Sequence, residues 1–155
     1  MSTLVTISSI IIILTAIYNI AKWCYTRPKF IVNYKYRLDS SGLRAKYPDE
    51  GFSISIKNNG YKADDVNVVF DFPIEIGNIE AICFGKVVVE KLQDKIRIQL
   101  PDYFGTLLNS DEKSINFRVK SPSVGKYEIK ILIRSSYIFP VKKEMHILVY
   151  QADRY

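Results

Sequence analysis

Histidines, cysteines and paired carboxylates are the residues through which a chain of this size would do chemistry, and here they are few and scattered. The one histidine, His146, sits beside Met145 and Ile147, with Val149 beyond, so strand alternation sends its imidazole to solvent rather than into a catalytic or metal site. Cys24 ends an apolar segment and Cys83 lies in the folded region, so no bridge between them is expected. An unmodified thiol is the simpler reading of Cys24, acylation at a membrane boundary the sharper one. Asp64 and Asp65, near Asn58 and Asn59, would offer oxygens to Ca²⁺, but an ordinary polar turn accounts for them with fewer assumptions. Asp49-Glu50 and Asp111-Glu112 are adjacent pairs, and neighbouring strand residues point to opposite faces, which argues against paired acid–base catalysis. No Gly-x-Ser-x-Gly elbow, phosphate-cradling glycine loop or Cys/His metal spacing is present. The expectation is a protein that is not an enzyme and uses no cofactor or metal.

The basic residues are more numerous. Lys95, Arg97, Arg118, Lys120, Lys126, Lys130 and Arg134 alternate with apolar positions and therefore occupy wet faces, either as a stripe for phosphate-rich partners or as a solvated surface interspersed with Asn116 and Glu128. The chain carries 22 basic and 16 acidic residues, a net charge of +6. That excess suits an anionic membrane surface; nucleic acid is the poorer partner because no nucleic-acid-binding motif accompanies it.

The elements that must position these residues begin with an apolar segment. Residues 1 to 21 contain no charged side chain, and Leu4, Ile7, Ile10 to Ile13, Leu14, Ile17 and Ile20 each favour insertion by about 0.3 to 0.6 kcal/mol near mid-bilayer. At about 1.5 Å per residue, Leu4 to Tyr25 spans a hydrocarbon core of about 30 Å. Trp23, Tyr25, Arg27 and Lys29 then fall at the headgroup level. A cleaved signal peptide would want a basic leader and a small-x-small site, and neither is present. Lys22, Arg27 and Lys29 follow the segment closely, so the positive-inside rule puts the C-terminal domain in the cytoplasm. Ser8, Thr15 and Asn19 share one helix face and could bond to a second anchor helix, although such groups are often simply tolerated.

Pro28 stops the helix, and the remainder is organised with a period of two. Phe52, Ile54 and Ile56 alternate with polar residues, as do Val66, Val68, Phe70 and Phe72, then Ile96 to Leu100, Ile115 to Val119 and Tyr127 to Ile133. Turn residues punctuate them at Asn58-Asn59-Gly60, Pro73, Gly85, Pro101-Asp102, Asn109 to Asp111, Pro122 to Gly125 and Pro140. The fold class expected is all-β, an antiparallel β-sandwich preceded by a single transmembrane α-helix: residues 1–27 as anchor, 28–155 as one sandwich domain.

Phe52 to Phe72, and Leu108 to Ser135 with its Gly125-Lys126-Tyr127 approach to a long strand, resemble the immunoglobulin-like modules of the CARDB and fibronectin type III kind over roughly half the domain. The resemblance implies that Tyr127 is a corner tyrosine bonded to upstream backbone. It makes Ile54 and Ile129 counterparts of the paired core cysteines of antibody domains, and puts Val68 or Phe70 where their tryptophan stands. CARDB-type domains are usually extracytoplasmic, opposite to the compartment that the flanking charges indicate.

In a seven-strand sandwich the chain enters at the pole carrying the loops after strands two, four and six. Those loops would hold Tyr61-Lys62, Pro101 to Leu107 with Tyr103-Phe104, and Ser136 to Phe139 with Tyr137. With only Thr26 to Lys29 as linker, this aromatic pole would face the bilayer. An additional strand at Leu43 to Tyr47 would reverse that polarity. Function is expected to be a membrane-anchored module presenting loops or edges to a protein partner. The alternative is a membrane effector whose β-domain senses a ligand and whose helix oligomerises.

Overall fold

The computed structural model describes residues 2–36, 51–120, 125–136 and 139–149. Helix α1 (Ser2–Thr26) carries neither an acid in its first turn nor a base in its last. Pro28 ends it, and residues 27–29 lead directly into β1 (Phe30–Tyr36). The chain continues through β2 (Gly51–Asn58), β3 (Ala63–Pro73), a 3₁₀ turn (Ile74–Ile76), β4 (Asn78–Ile82), β5 (Val88–Lys91), β6 (Lys95–Leu107), β7 (Glu112–Lys120), β8 (Gly125–Arg134) and β9 (Val141–Val149).

Two antiparallel sheets form, ordered β1-β2-β7-β4 and β5-β6-β3-β8-β9. The first has the A-B-E-D order of an immunoglobulin sandwich, and β3-β8-β9 has the C-F-G order of the other sheet. Strands β5 and β6 extend that sheet beside β3, but they follow β4 in the chain instead of preceding it.

Period-two patterning makes the core. Ile54, Ile56, Val68, Phe70, Phe72, Ile98, Leu100, Ile115, Phe117 and Ile129 are buried, and their strand neighbours are more exposed. Each such residue contributes about 1.5 to 3 kcal/mol of burial energy. Phe52 and Phe117 from one sheet meet Phe70 and Phe72 from the other, with ring centroids 5.0 to 6.3 Å apart. Phe70 thus helps fill the centre, where the resemblance placed an antibody tryptophan, and Ile54 and Ile129 are fully buried on opposite sheets. The ring of Tyr127 folds back over Gly125, whose missing Cβ would lie 3.5 Å from its hydroxyl oxygen.

Several boundaries differ from the sequence reading. Pro101-Asp102 does not end a strand: β6 runs through it, because Asp102 (φ 64°) and Gly105 (φ 54°) take left-handed backbone and absorb the proline in an irregular stretch of the β3–β6 pairing. Strands β1, β4 and β5 lack the long alternating run that marks the others, and with them the described residues form nine strands. The turn at 122–124 and the candidate strand Leu43 to Tyr47 lie outside the described residues.

Candidate functional site

The helix meets the sandwich at a pole built around Asn58, the last residue of β2, which has no exposed surface. Its Oδ1 accepts the backbone N–H groups of Lys29 (3.2 Å) and Gly60 (3.0 Å). Its Nδ2 donates to the carbonyls of Tyr61 (2.6 Å) and Leu107 (3.0 Å). All the hydrogen-bonding capacity of one amide is thereby used to tie the helix linker to two loops. Backbone bonds reinforce the junction: Asn59 N–H donates to the Lys29 carbonyl at 2.8 Å and Tyr61 N–H to that of Arg27 at 3.3 Å. Ser110 N–H donates to the Asn58 carbonyl at 2.7 Å. Gly60 is required by close approach, since a Cβ there would lie 2.4 Å from Lys29 N and 2.5 Å from Arg27 O.

Aromatic and basic side chains collar this junction. The Trp23 ring meets Phe139 edge-on at 6.3 Å, and the Arg27 guanidinium stands 5.7 Å from the Trp23 centroid. Beside them opens a cleft of about 530 Å³ formed by Tyr25 and Lys29, the Asn59–Lys62 turn, and Asn109 of the β6–β7 turn. Lys62 Nζ pairs with Asp64 at 3.0 Å, and Thr106 Oγ1 donates to the same carboxylate at 2.9 Å. These bonds hold the Asp64 carboxyl below its ordinary range, the one from Lys62 contributing most.

Of the residues singled out from sequence, Trp23, Tyr25, Arg27, Lys29, Tyr61, Lys62 and Phe139 come together at this pole. Tyr103 and Phe104 do not, because they belong to strand β6 and not to a loop. Phe104 is fully buried and cannot contact a partner, whereas Tyr103 is half-buried with its hydroxyl donating to the Ser114 carbonyl at 2.7 Å. The third loop at the pole is the β6–β7 turn at 108–111, displaced from the expected position by the continuation of β6. Tyr137 lies outside the described residues. On the helix, Thr15 Oγ1 donates to its own helix at the Ile11 carbonyl (2.8 Å), and Asn19 has no hydrogen bond among the described residues.

A second concavity, missed in the sequence, lies on the flank. The Phe84 ring stands fully in solvent on the β4–β5 connection, beside a cleft of about 430 Å³ shared with Lys86, Pro101, Asp102, Tyr103 and Lys113. Lys113 Nζ is held there by the Phe104 carbonyl at 2.6 Å. The nearby signal was Gly85, which takes φ 141°. Nothing in the sequence distinguishes an exposed phenylalanine next to it from a buried one.

The remaining candidates resolve into structure. The outward residues Glu90, Arg97, Asp71, Lys130 and Glu144 occupy one register line across five strands, alternating in sign. Asp71 takes a forked contact from Arg97 (2.7 and 2.9 Å) and another from Lys95 (3.0 Å). The basic residues on that face are therefore interleaved with acids. The Asn58 amide is taken up by the junction and the Asp64 carboxylate by Lys62 and Thr106, so neither serves the envisaged Ca²⁺ site. His146 is exposed on β9 opposite Glu128. Both cysteines are free thiols, and burial pushes the Cys83 thiol up, away from a reactive thiolate. No three potential metal ligands cluster among the described residues.

No protein-family model and no curated protein matches the chain. Among solved structures it is similar to a GH20 exo-β-N-acetylglucosaminidase from Vibrio harveyi, at 11% identity and a TM-score of 0.45, covering 74% of this chain but only 17% of that one. A cohesin module of a family 33 glycoside hydrolase from Clostridium perfringens is similar at 9% identity and TM-score 0.45, covering 79% of this chain and 96% of that one. The CARDB domain of a Pyrococcus furiosus protein is similar at 13% identity and TM-score 0.37, covering 78% and 92%. At these identities and scores the likeness concerns the two-sheet fold and says nothing of ligand or activity.

Proposed function

We propose that this protein is a membrane-anchored binding module: α1 is retained in the bilayer, the Asn58 pole holds the sandwich against the membrane surface, and the flank carries the contact with a protein partner. The observation that carries this reading is the exposure of α1. No residue of its most apolar stretch, Ser8–Thr26, is buried, although Trp23 meets Phe139 and the linker behind it is bonded to the domain. An apolar helix with no protein to cover it is stabilised by lipid.

Length and composition alone describe a signal sequence equally well. Retention is favoured because no small-x-small site follows the apolar run, and because Trp23, at its end, is in contact with Phe139 of the β8–β9 loop. Lys22 lies near the end of α1 and Arg27 and Lys29 just after it, and folding adds Lys62 to the same end, so we place the domain in the cytoplasm. Phe84, the fully exposed ring beside a polar-rimmed cleft, is the best candidate anchor for the partner. Binding, rather than catalysis, fits a face on which Asp71, Lys95 and Arg97 are engaged in strand-to-strand pairing.

One observation favours the alternative of an oligomerising effector. The Asn19 amide lies in the apolar helix without a hydrogen bond among the described residues, whereas Thr15 is satisfied by its own helix. A second helix would supply the missing partner.

Alkaline extraction of membranes from cells making the full chain tests the main reading. The uncleaved chain should stay in the pellet and be released by detergent. Recovery as a soluble protein, or as a form trimmed near Thr26, contradicts it.

A further inference from the structure

The cleft at the junction pole has the make-up of an anion site, and its place specifies which anion. Lys29 and Lys62, Asn59 and Asn109, and Tyr25 and Tyr61 line it together with Gly60, and no acidic residue does. Two acids lie close by in the chain, and both are engaged: Asp64 by Lys62 and Thr106, and Asp111 by the Leu108 N–H. The backbone around the cleft is fixed by the Asn58 bonds, so these donors stand on a preorganised wall. A volume of about 530 Å³ suits a small polar ligand. Tyr25 and Lys29 enter the cleft from the last turn of α1 and the residues just after it, the level at which phosphates lie if α1 spans the bilayer.

We propose that this cleft binds the phosphate of an anionic phospholipid headgroup, drawn from the bilayer in which α1 is seated. The inference rests on the membrane reading above and adds a ligand class and a site to it. Two lysines near a surface would favour an anionic over a zwitterionic lipid by roughly 30-fold, and the Lys62–Asp64 pair reduces this to about tenfold. Any phosphate offers the same oxygens. Tyr25 and the adjoining acyl region distinguish a lipid from free phosphate, because the ligand's apolar part then stays beside the helix.

The test is native mass spectrometry of the detergent-solubilised full chain with equimolar phosphatidylglycerol and phosphatidylcholine. Phosphatidylglycerol should be retained about tenfold over phosphatidylcholine. Lys29→Gln combined with Lys62→Gln should bring the ratio close to one, whereas Lys91→Gln with Lys126→Gln, which removes equal charge outside the cleft, should leave it unchanged. Asp64→Asn, which frees Lys62, should raise the preference by about threefold. A ratio near one in the unaltered chain, equal loss in both double variants, or displacement of the lipid by millimolar inorganic phosphate would overturn the proposal. A chain that stays in the membrane pellet without lipid preference sinks the headgroup site alone, whereas a chain recovered in the soluble fraction sinks the membrane reading beneath it.

Discussion

The side-chain oxygen of Asn58 accepts the backbone N–H of Lys29 at 3.2 Å, joining residues 29 positions apart. Through this bond the sandwich grips the linker that follows the helix. Because the amide also bonds Gly60, Tyr61 and Leu107, Asn58→Ala leaves several backbone groups short of partners. A loss of about 2 to 4 kcal/mol is expected, measured by denaturant unfolding of the full chain in detergent.

Gly60→Ala isolates the linker from the rest of the fold. Its methyl would collide with Lys29 N and Arg27 O, so the linker must lift away while the sheets remain paired. Limited trypsin digestion should cut after Lys29 several times faster than in the unaltered chain, with the β-sheet circular dichroism unchanged.

Asp71 makes stability depend on acid. Arg97, and then Lys95, hold its carboxyl below the ordinary value of 3.8 against the opposing effect of partial burial. A depressed folded pKa contributes stability above the unfolded pKa, and this is lost as pH falls through the folded value. The unaltered chain should therefore lose stability as pH drops below about 4, and Asp71→Asn should flatten that slope while costing about 1 kcal/mol at neutral pH. Thermal melts across the acid range check both.

Phe104 and Phe84 separate core from surface. Phe104→Ala, at a fully buried site, should cost about 3 to 5 kcal/mol in unfolding experiments. Phe84→Ala should change stability by less than about 0.5 kcal/mol and yet abolish crosslinking to the membrane partner. Equal crosslinking would move the partner surface elsewhere.

The sandwich was legible where inward residues alternate, as at Phe52–Ile56 and Tyr127–Ile133, since only one face of each strand can be buried without exposing the other set. Strands β4 and β5 were not legible, being short edge strands with few inward residues. Proline and aspartate at 101 and 102 read as a turn, because the local rule has no knowledge of a partner strand that tolerates the bulge. The pole was partly legible: the parity of strands put Tyr61, Lys62 and Phe139 beside the helix, and the same misread turn put Tyr103 and Phe104 there too. The role of Asn58 was hidden, for an Asn-Asn-Gly turn looks alike whether its first amide faces water or bonds a linker that precedes it by 29 residues.

The central claim, that α1 remains in lipid and seats the sandwich at the surface, has a built-in reporter, because Trp23 is the chain's one tryptophan. Its fluorescence should be measured on the full chain in vesicles carrying nitroxide quenchers at graded depths. Blue-shifted emission, quenched most strongly by the shallow, headgroup-proximal nitroxide, is expected. Water-like emission untouched by any of the lipid quenchers would contradict it.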